Sequence, residues 1–173
     1  QCAFADQLQG LRDKEGADVH FTFDREPGAK MLDLAGIVAA LPPGAHIYCC
    51  GPLPMLDAFE QATKALPPER VHVEYFAARE AAATEGGFTL ELARTKRTLE
   101  VEAGHTILDS LIEIGIEPPY SCREGICGTC EVAVLEGTPD HRDLVLSAAE
   151  KAEGKRMMIC CSGSKSRKLV LDL

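Results

Sequence analysis

The first part of the chain combines amphipathic segments with short apolar runs. Phe4, Leu8 and Leu11 recur at the spacing of one helical face, and the run 19–23 (VHFTF) has the composition of a β-strand. Residues 31–41 (MLDLAGIVAAL) predict a helix, because the apolar run stops at a Pro-Pro-Gly sequence.

The pattern then alternates strand and helix. Residues 46–50 (HIYCC) predict a strand, residues 54–66 predict a helix that starts with proline, and residues 70–76 (RVHVEYF) predict another strand. Strands that alternate with helices favour an α/β architecture with a parallel sheet.

The pattern changes after a stretch of small and polar residues, 77–87, which is typical of a linker. Residues 88–94 and 97–103 alternate apolar and polar side chains on either side of a short polar turn, which predicts a hairpin. Residues 105–115 predict a helix that Gly115 caps. We therefore predict domains at 1–76 and 88–173, joined by the linker.

The remaining apolar runs of the second domain predict further strands, at 131–137, 156–161 and 168–173. Residues 147–150 (SAAE) have the spacing of a capping box and predict a short helix. These elements make a small sheet with one main helix. The loop 115–130 is unusually long for such a domain, and long loops in small domains usually carry function.

Composition and charge argue against some classes of binding partner and indicate the cellular compartment. The net charge of −9 and the pI of about 5.0 argue against a nucleic acid or an anionic membrane surface as partner. No apolar signal segment follows Gln1, and no stretch reaches the roughly 20 apolar residues of a membrane span. We therefore expect a cytoplasmic protein, in which eight cysteines indicate metal binding and not a disulfide framework.

Four of the cysteines have the spacing C-x4-C-x2-C-x29-C: Cys122, Cys127, Cys130 and Cys160. This is the plant-type spacing for a [2Fe–2S] cluster, in which four thiolates hold two bridged irons. Gly125 and Gly128 would let the backbone approach the sulfurs, so that N–H groups donate to them.

Structural zinc is the alternative interpretation of the same cysteines. Cys127 and Cys130 could pair with Cys160 and Cys161 around one tetrahedral ion, although adjacent cysteines are poorly placed to bind one ion together. If both lie on a strand, Cys161 should point away from Cys160 and be a packed thiol. The stretch 141–143 (HRD) is interpreted as surface and turn packing.

Several motifs together resemble a known family. The stretch from Tyr120 to Leu173, with YSCREGICGTC, LEGTPDHRD and the final LVLDL, resembles the C-terminal ferredoxin domain of the phthalate dioxygenase reductase family. Residues 48–55 (YCCGPLPM) resemble the Cys-Gly-Pro segment of ferredoxin-NADP reductase-like nucleotide domains, and 70–76 resemble the strand that closes that domain. The resemblance implies a partial α/β nucleotide-binding domain followed by an α+β, β-grasp ferredoxin domain.

The resemblance also implies cofactor positions. Cys50, Gly51 and Pro52 match the segment that lies against the nicotinamide ring, and Glu74 and Phe76 match the closing strand near the flavin. The four spaced cysteines match the cluster ligands. The family's flavin barrel, expected to hold FMN, and the glycine-rich turn of its nucleotide domain have no counterpart in this chain.

The function implied is electron transfer in an NADH-dependent oxygenase reductase. Electrons would pass from NADH through FMN and the cluster to a terminal oxygenase or to a fused P450, with the flavin domain as donor. This chain is expected to be part of a longer polypeptide and not competent for NADH oxidation alone. The alternative is a stand-alone ferredoxin-type carrier with a vestigial docking domain.

Overall fold

The computed structural model describes residues 3–15, 17–23 and 28–173. In the first half, these residues form three helices, two strands and a 3-10 turn, namely α1 (Ala5–Glu15), α2 (Leu34–Ala39), β1 (Ile47–Cys50), α3 (Leu53–Thr63), the turn Pro68–Arg70 and β2 (Val71–Glu74). β1 and β2 pair in parallel, so the predicted parallel arrangement is confirmed for this pair. The helix expected from the spacing of Phe4, Leu8 and Leu11 is confirmed as α1.

A small core lies under these two strands. Cys49, Leu56 and Phe59 are buried, and partly buried residues of β1, β2 and α3 pack around them. α3 begins directly after β1, with Pro52 as its N-cap residue. This connection places the Cys-Gly-Pro segment at the carboxyl end of a strand, as the sequence predicts.

Two predictions for the first half differ from the structure. Residues 19–23 form no strand, because no neighbouring strand pairs with them, and Phe21 and Phe23 remain exposed. The helix expected at 31–41 is shorter. Asp33 accepts a hydrogen bond from the N–H of Gly36 at 2.9 Å, and a residue that caps in this way stands outside the helix.

The second half contains a mixed five-stranded sheet, a two-stranded sheet, one main helix and a second short helix. Its elements are β3 (Phe88–Leu92), β4 (Arg97–Val101), α4 (Ile107–Glu113), β5 (Glu131–Glu136), β6 (Pro139–Asp140), α5 (Ala148–Glu153), β7 (Arg156–Met158), β8 (Gly163–Ser164) and β9 (Lys168–Leu171). Five strands form one sheet in the order β4-β3-β9-β5-β7, and β6 pairs with β8. β3 and β9 are parallel, and the other neighbours in the sheet are antiparallel.

The helix α4 packs against this sheet through a continuous apolar face. Ile107, Leu108 and Leu111 are fully buried in the main core. Thr106 and Asp109 form a capping box at the start of α4, and Gly115 follows its end in a left-handed conformation with φ +78°. The predicted hairpin, main helix and capped helix α5 are all confirmed.

The strand expected at 156–161 ends early. Only Arg156–Met158 is strand, and Ile159, Cys160 and Cys161 form a turn. The N–H groups of Cys161 and Ser162 both donate to the carbonyl of Met158, at 3.3 and 3.0 Å, and this closes the turn. The expectation that Cys160 and Cys161 alternate along a strand is therefore wrong.

No helix among the described residues combines the length and the apolar character that crossing a membrane requires.

Candidate metal centre

The loop between α4 and β5, residues 115–130, is called the cluster loop below. Its backbone takes positive φ angles at Arg123 (59°), Gly125 (67°) and Gly128 (77°), which curl the chain tightly. Cys122, half-buried, and Cys127, exposed, both lie in this curl. Two of the four spaced cysteines therefore lie on a tightly curled stretch of backbone.

Gly125 lies where the cluster loop meets two other parts of the chain. A Cβ added to Gly125 would be 2.5 Å from the Cys161 sulfur and 3.1 Å from the Asp143 Cα. The carbonyl of Gly125 accepts a hydrogen bond from the N–H of Leu144 at 2.9 Å. The backbone at this position thus packs directly on the turn after β7, and no side chain would fit between them.

The four spaced thiols are arranged as two pairs. A hydrogen bond with the Thr129 hydroxyl (3.3 Å), backbone N–H groups and the Cys122 thiol lower the pKa of Cys127 to about 6. A hydrogen bond with the Cys160 thiol, together with burial, raises the pKa of Cys130. Cys122 therefore neighbours Cys127 near the surface, and Cys130 neighbours Cys160 in the interior.

Cys160 has a third sulfur beside it. Its hydrogen bond with Cys130 lowers the pKa of Cys160, but the hydrogen bond that Cys160 donates to Cys161, together with burial, outweighs this and raises the pKa to about 11. The same contact with Cys160 lowers the pKa of Cys161. Cys161 is a packed thiol, 3% exposed, within 3.8 Å of the Ser162 hydroxyl.

Backbone N–H groups point at the sulfurs of both pairs. Glu124 donates its N–H to the Cys122 sulfur at 3.3 Å. The backbone of Thr129 donates to Cys127, and that of Gly125 donates to Cys160. Such donors stabilise thiolates and set the potential of a bound cluster.

This arrangement fits a two-iron cluster. Two bridged irons need one pair of thiolates each, whereas structural zinc needs its ligands around one point. The two pairs and the N–H donors meet the requirements of a [2Fe–2S] cluster.

The first half brings together most of the residues expected near the nucleotide. Cys50 and Glu74 are direct partners in the β1–β2 ladder, and Gly51 and Pro52 follow Cys50 into α3. Cys50 and Glu74 line an open cavity of about 450 Å³. Phe76 is 68% exposed and does not line this cavity.

A second cavity, of about 420 Å³, lies between the two halves. It is lined from the first half by the end of β2 and the residues after it, and from the second by Ile126 and Leu144. Phe76 and Glu74 belong to this cavity, and Ile126 is the residue before Cys127. The two halves therefore approach each other beside the cluster loop.

Comparison with known proteins agrees with this geometry. Residues 90–164 match the family described as the 2Fe-2S iron-sulfur cluster binding domain. The chain is 60% identical over 171 residues to the phenoxybenzoate dioxygenase subunit beta of Ectopseudomonas oleovorans, covering 99% of this chain and 52% of that protein. The solved structure of phthalate dioxygenase reductase is 37% identical with a TM-score of 0.64, over 99% of this chain and 52% of that one.

The chain matches part of the proteins of the phthalate dioxygenase reductase family. An intact type IV self-sufficient cytochrome P450 monooxygenase contains the same fold, at 39% identity and a TM-score of 0.73, over 99% of this chain and 22% of that one. The predicted fold class, a partial nucleotide-binding domain followed by a ferredoxin domain, is confirmed. The chain spans about half the length of the curated relatives it matches.

The sequence analysis did not identify a buried residue that packs against the cluster loop. Asp143 was interpreted as part of a surface turn, but it is 1% exposed. One carboxylate oxygen accepts the N–H groups of Val145 and Leu146, at 3.1 and 2.8 Å, and its Cα abuts Gly125. The predicted turn packing of Asp143 is confirmed, but its predicted surface position is wrong, because its buried carboxylate accepts backbone N–H groups from inside the turn.

Proposed function

We propose that this chain is the electron-transferring part of an NADH-dependent flavin and iron–sulfur oxidoreductase that supplies an oxygenase. The observation that carries the proposal is the two pairs of thiols in the cluster loop and the turn after β7, with backbone N–H groups aimed at them. A [2Fe–2S] cluster bound there supplies a centre that accepts and donates one electron at a time.

The ligands that we assign to the cluster are the four spaced cysteines, Cys122, Cys127, Cys130 and Cys160. The outer pair lies nearer the surface, because Cys122 is half-buried and Cys127 exposed, whereas Cys130 and Cys160 are buried. The protein holds the thiolates by hydrogen bonds and excludes water from the inner pair. No side chain is required to act as an acid or a base.

The first half is proposed to contribute to the nicotinamide and flavin sites. Cys50, Gly51 and Pro52 stand at the carboxyl end of β1, which is where ligands bind in open α/β sheets. Glu74 and Phe76 line the cavity between the halves and are proposed to lie near the flavin. FMN itself would be held by a part of the protein outside this chain.

The acceptor is proposed to be a terminal oxygenase or a fused P450. One relative is named as a dioxygenase subunit, and one solved structure with this fold is a self-sufficient P450 monooxygenase. A nicotinamide delivers two electrons at once, while an oxygenase metal centre takes them singly, and a flavin with a cluster bridges that difference.

We also propose that the domains span residues 1–76 and 88–173, joined by a linker at 77–87, and that the protein is cytoplasmic.

The first test is low-temperature electron paramagnetic resonance after dithionite reduction, with iron and acid-labile sulfide assayed on the same sample. We expect a one-electron signal with about two irons and two sulfides per chain, the content of one [2Fe–2S] cluster. A sample without a signal that contains zinc and no iron would contradict the electron-transfer proposal.

A second measurement separates a reductase from a stand-alone carrier. NADH is added to the protein joined to its flavin-binding part, and the visible absorbance of the cluster is followed. Bleaching supports the reductase. Bleaching that requires a separate flavoprotein identifies the carrier.

A further inference from the structure

The segment that connects the two halves, residues 77–87, is bound to both of them near its start. Arg79 donates to Asp57 of α3 at 2.9 Å, which ties it to the first half. The N–H of Ala78 donates to the Glu124 carboxylate of the cluster loop at 3.3 Å. Adjacent residues of the segment therefore contact opposite halves, which is unexpected for a free linker.

The later part of the segment packs against the second half of the chain, residues 88–173, which we call the iron–sulfur half. Ala83 is 6% exposed, and its N–H donates to the carbonyl of Cys161 at 2.8 Å. Thr84 accepts from the N–H of Gly104 at 2.8 Å. A Cβ on Gly163 would lie only 2.8 Å from the Ala83 Cβ, so the two backbones are in close contact.

A single arginine faces the acidic residues of the segment. The Arg142 guanidinium lies 3.6 Å from the Glu80 carboxylate and 3.6 Å from the Glu85 carboxylate. Asp140 accepts from the same guanidinium at 2.8 Å and fixes its orientation. The Arg142 side chain is 26% exposed, while the Glu80 and Glu85 side chains are 64% and 72% exposed, so each contact has the modest strength of a surface ion pair and the two act together.

Arg142 is also next to the residues that support the cluster loop. Asp143, the following residue, has its Cα against Gly125, and Leu144 donates its N–H to the Gly125 carbonyl at 2.9 Å. Movement of Arg142 would therefore be transmitted to the loop that carries the thiols. The same short stretch of chain contacts the connecting segment on one side and the cluster loop on the other.

We propose that Arg142 and Glu124 are positioning residues that clamp the connecting segment to the iron–sulfur half. The clamp holds the end of β2 beside Ile126, across the cavity between the halves. Its importance for electron transfer rests on the proposed function, because only a flavin that lies beside the end of β2 gains from a fixed distance to the cluster.

The test uses a variant that releases the segment without altering the iron–sulfur half. The double variant Glu80→Gln, Glu85→Gln removes both carboxylates and leaves the pair of Arg142 with Asp140 intact. Arg156→Gln is the matched control, because Arg156 also bridges two carboxylates, Glu131 and Glu150, that lie within the iron–sulfur half.

Hydrogen exchange of the backbone amides of the segment is measured on the chain with its cluster in place. We expect the hydrogen-bonded amides of Ala78 and Ala83 to exchange about tenfold faster in the double variant than in the wild type, and at the wild-type rate in Arg156→Gln. Glu124→Ala should accelerate exchange at Ala78 alone. Equal rates in the double variant and the wild type, or unprotected amides in the wild type, would overturn the proposal.

A second readout separates the clamp from the proposed function. In the protein joined to its flavin-binding part, reduction of the cluster by NADH should be slower in the double variant, while reduction potential and dithionite reduction stay as in the wild type. An unchanged NADH rate would overturn the positioning role. If NADH does not reduce the wild-type cluster, the proposed function fails, and the exchange rates still decide the clamp.

Discussion

Replacing Gly125 by alanine tests whether the cluster loop depends on its contact with the turn after β7. The backbone of Gly125 has φ +67°, which side chains of L-residues rarely adopt. The new Cβ would lie 2.5 Å from the buried Cys161 sulfur, a distance that forces a shift, and 3.1 Å from the Asp143 Cα, which is a tight contact. The loop must therefore move away from the turn that carries Cys160 and Cys161.

The size of the effect follows from two contributions. The left-handed conformation costs roughly 1–2 kcal/mol for a residue with a Cβ. Forcing a methyl group into a filled interior costs about 1–3 kcal/mol more. Gly128→Ala is the matched control, because Gly128 has φ +77° but its Cβ would meet only Val145, at 3.5 Å. That variant should show only the conformational cost.

The assay is thermal unfolding at a fixed scan rate after anaerobic cluster reconstitution, with iron and sulfide measured first. At about 2–4 °C per kcal/mol for a chain of this size, Gly125→Ala should unfold roughly 2–12 °C below Gly128→Ala and bind less iron. Adding Cys161→Ala to Gly125→Ala should recover part of the loss, because the closest contact is then gone. Equal effects of the two glycine variants would refute the reasoning.

Three further predictions concern the ligands and the second half. Cys127→Ala should prevent assembly of an intact cluster, while Cys161→Ser should keep wild-type iron content. Cluster loss in Cys161→Ser would show that the wrong neighbour was chosen. Thr106→Ala should destabilise the chain by about 1 kcal/mol in denaturant unfolding, because it removes the cap of α4, while Thr106→Ser should not. Arg94 donates two hydrogen bonds to Asp172 and holds its pKa below the ordinary 3.8. These bonds therefore stabilise the folded chain fully at pH values above 3.8, and the stabilisation is lost as the pH falls through the lowered pKa of Asp172. The difference in unfolding free energy between the wild type and Asp172→Asn should shrink only in acid. A difference that stays constant with pH would contradict this prediction.

The elements that the sequence predicted well are those specified by local patterns. The alternation in 88–103 is enough to specify the hairpin, and the apolar face of α4 is readable from helical spacing. The cysteine spacing is equally local, since a cluster requires three thiols on one tight loop. The ligand assignment itself stays a prediction.

One failed prediction depended on a partner distant in sequence, and another on a local turn. The run 19–23 has strand composition, but a strand also needs a neighbour, and none pairs with it in the described structure. The turn at Cys160 and Cys161 forms because two N–H groups converge on the Met158 carbonyl. Composition does not distinguish a strand from a turn at residues 159–161, because these apolar residues are compatible with either conformation.

The support of the cluster loop shows why such contacts leave no signature in the sequence. Leu144 donates to the carbonyl of Gly125, and Ala83 donates to the carbonyl of Cys161, so both contacts join backbone groups that almost any residue would provide. Only the places where a Cβ cannot fit restrict the residue type, as at Gly125 and Gly163. The sequence therefore shows the four cysteines of the expected cluster site directly. The segments that pack around that site, which carry Ala83, Asp143 and Gly163, are marked in the sequence mainly by glycines and one buried carboxylate.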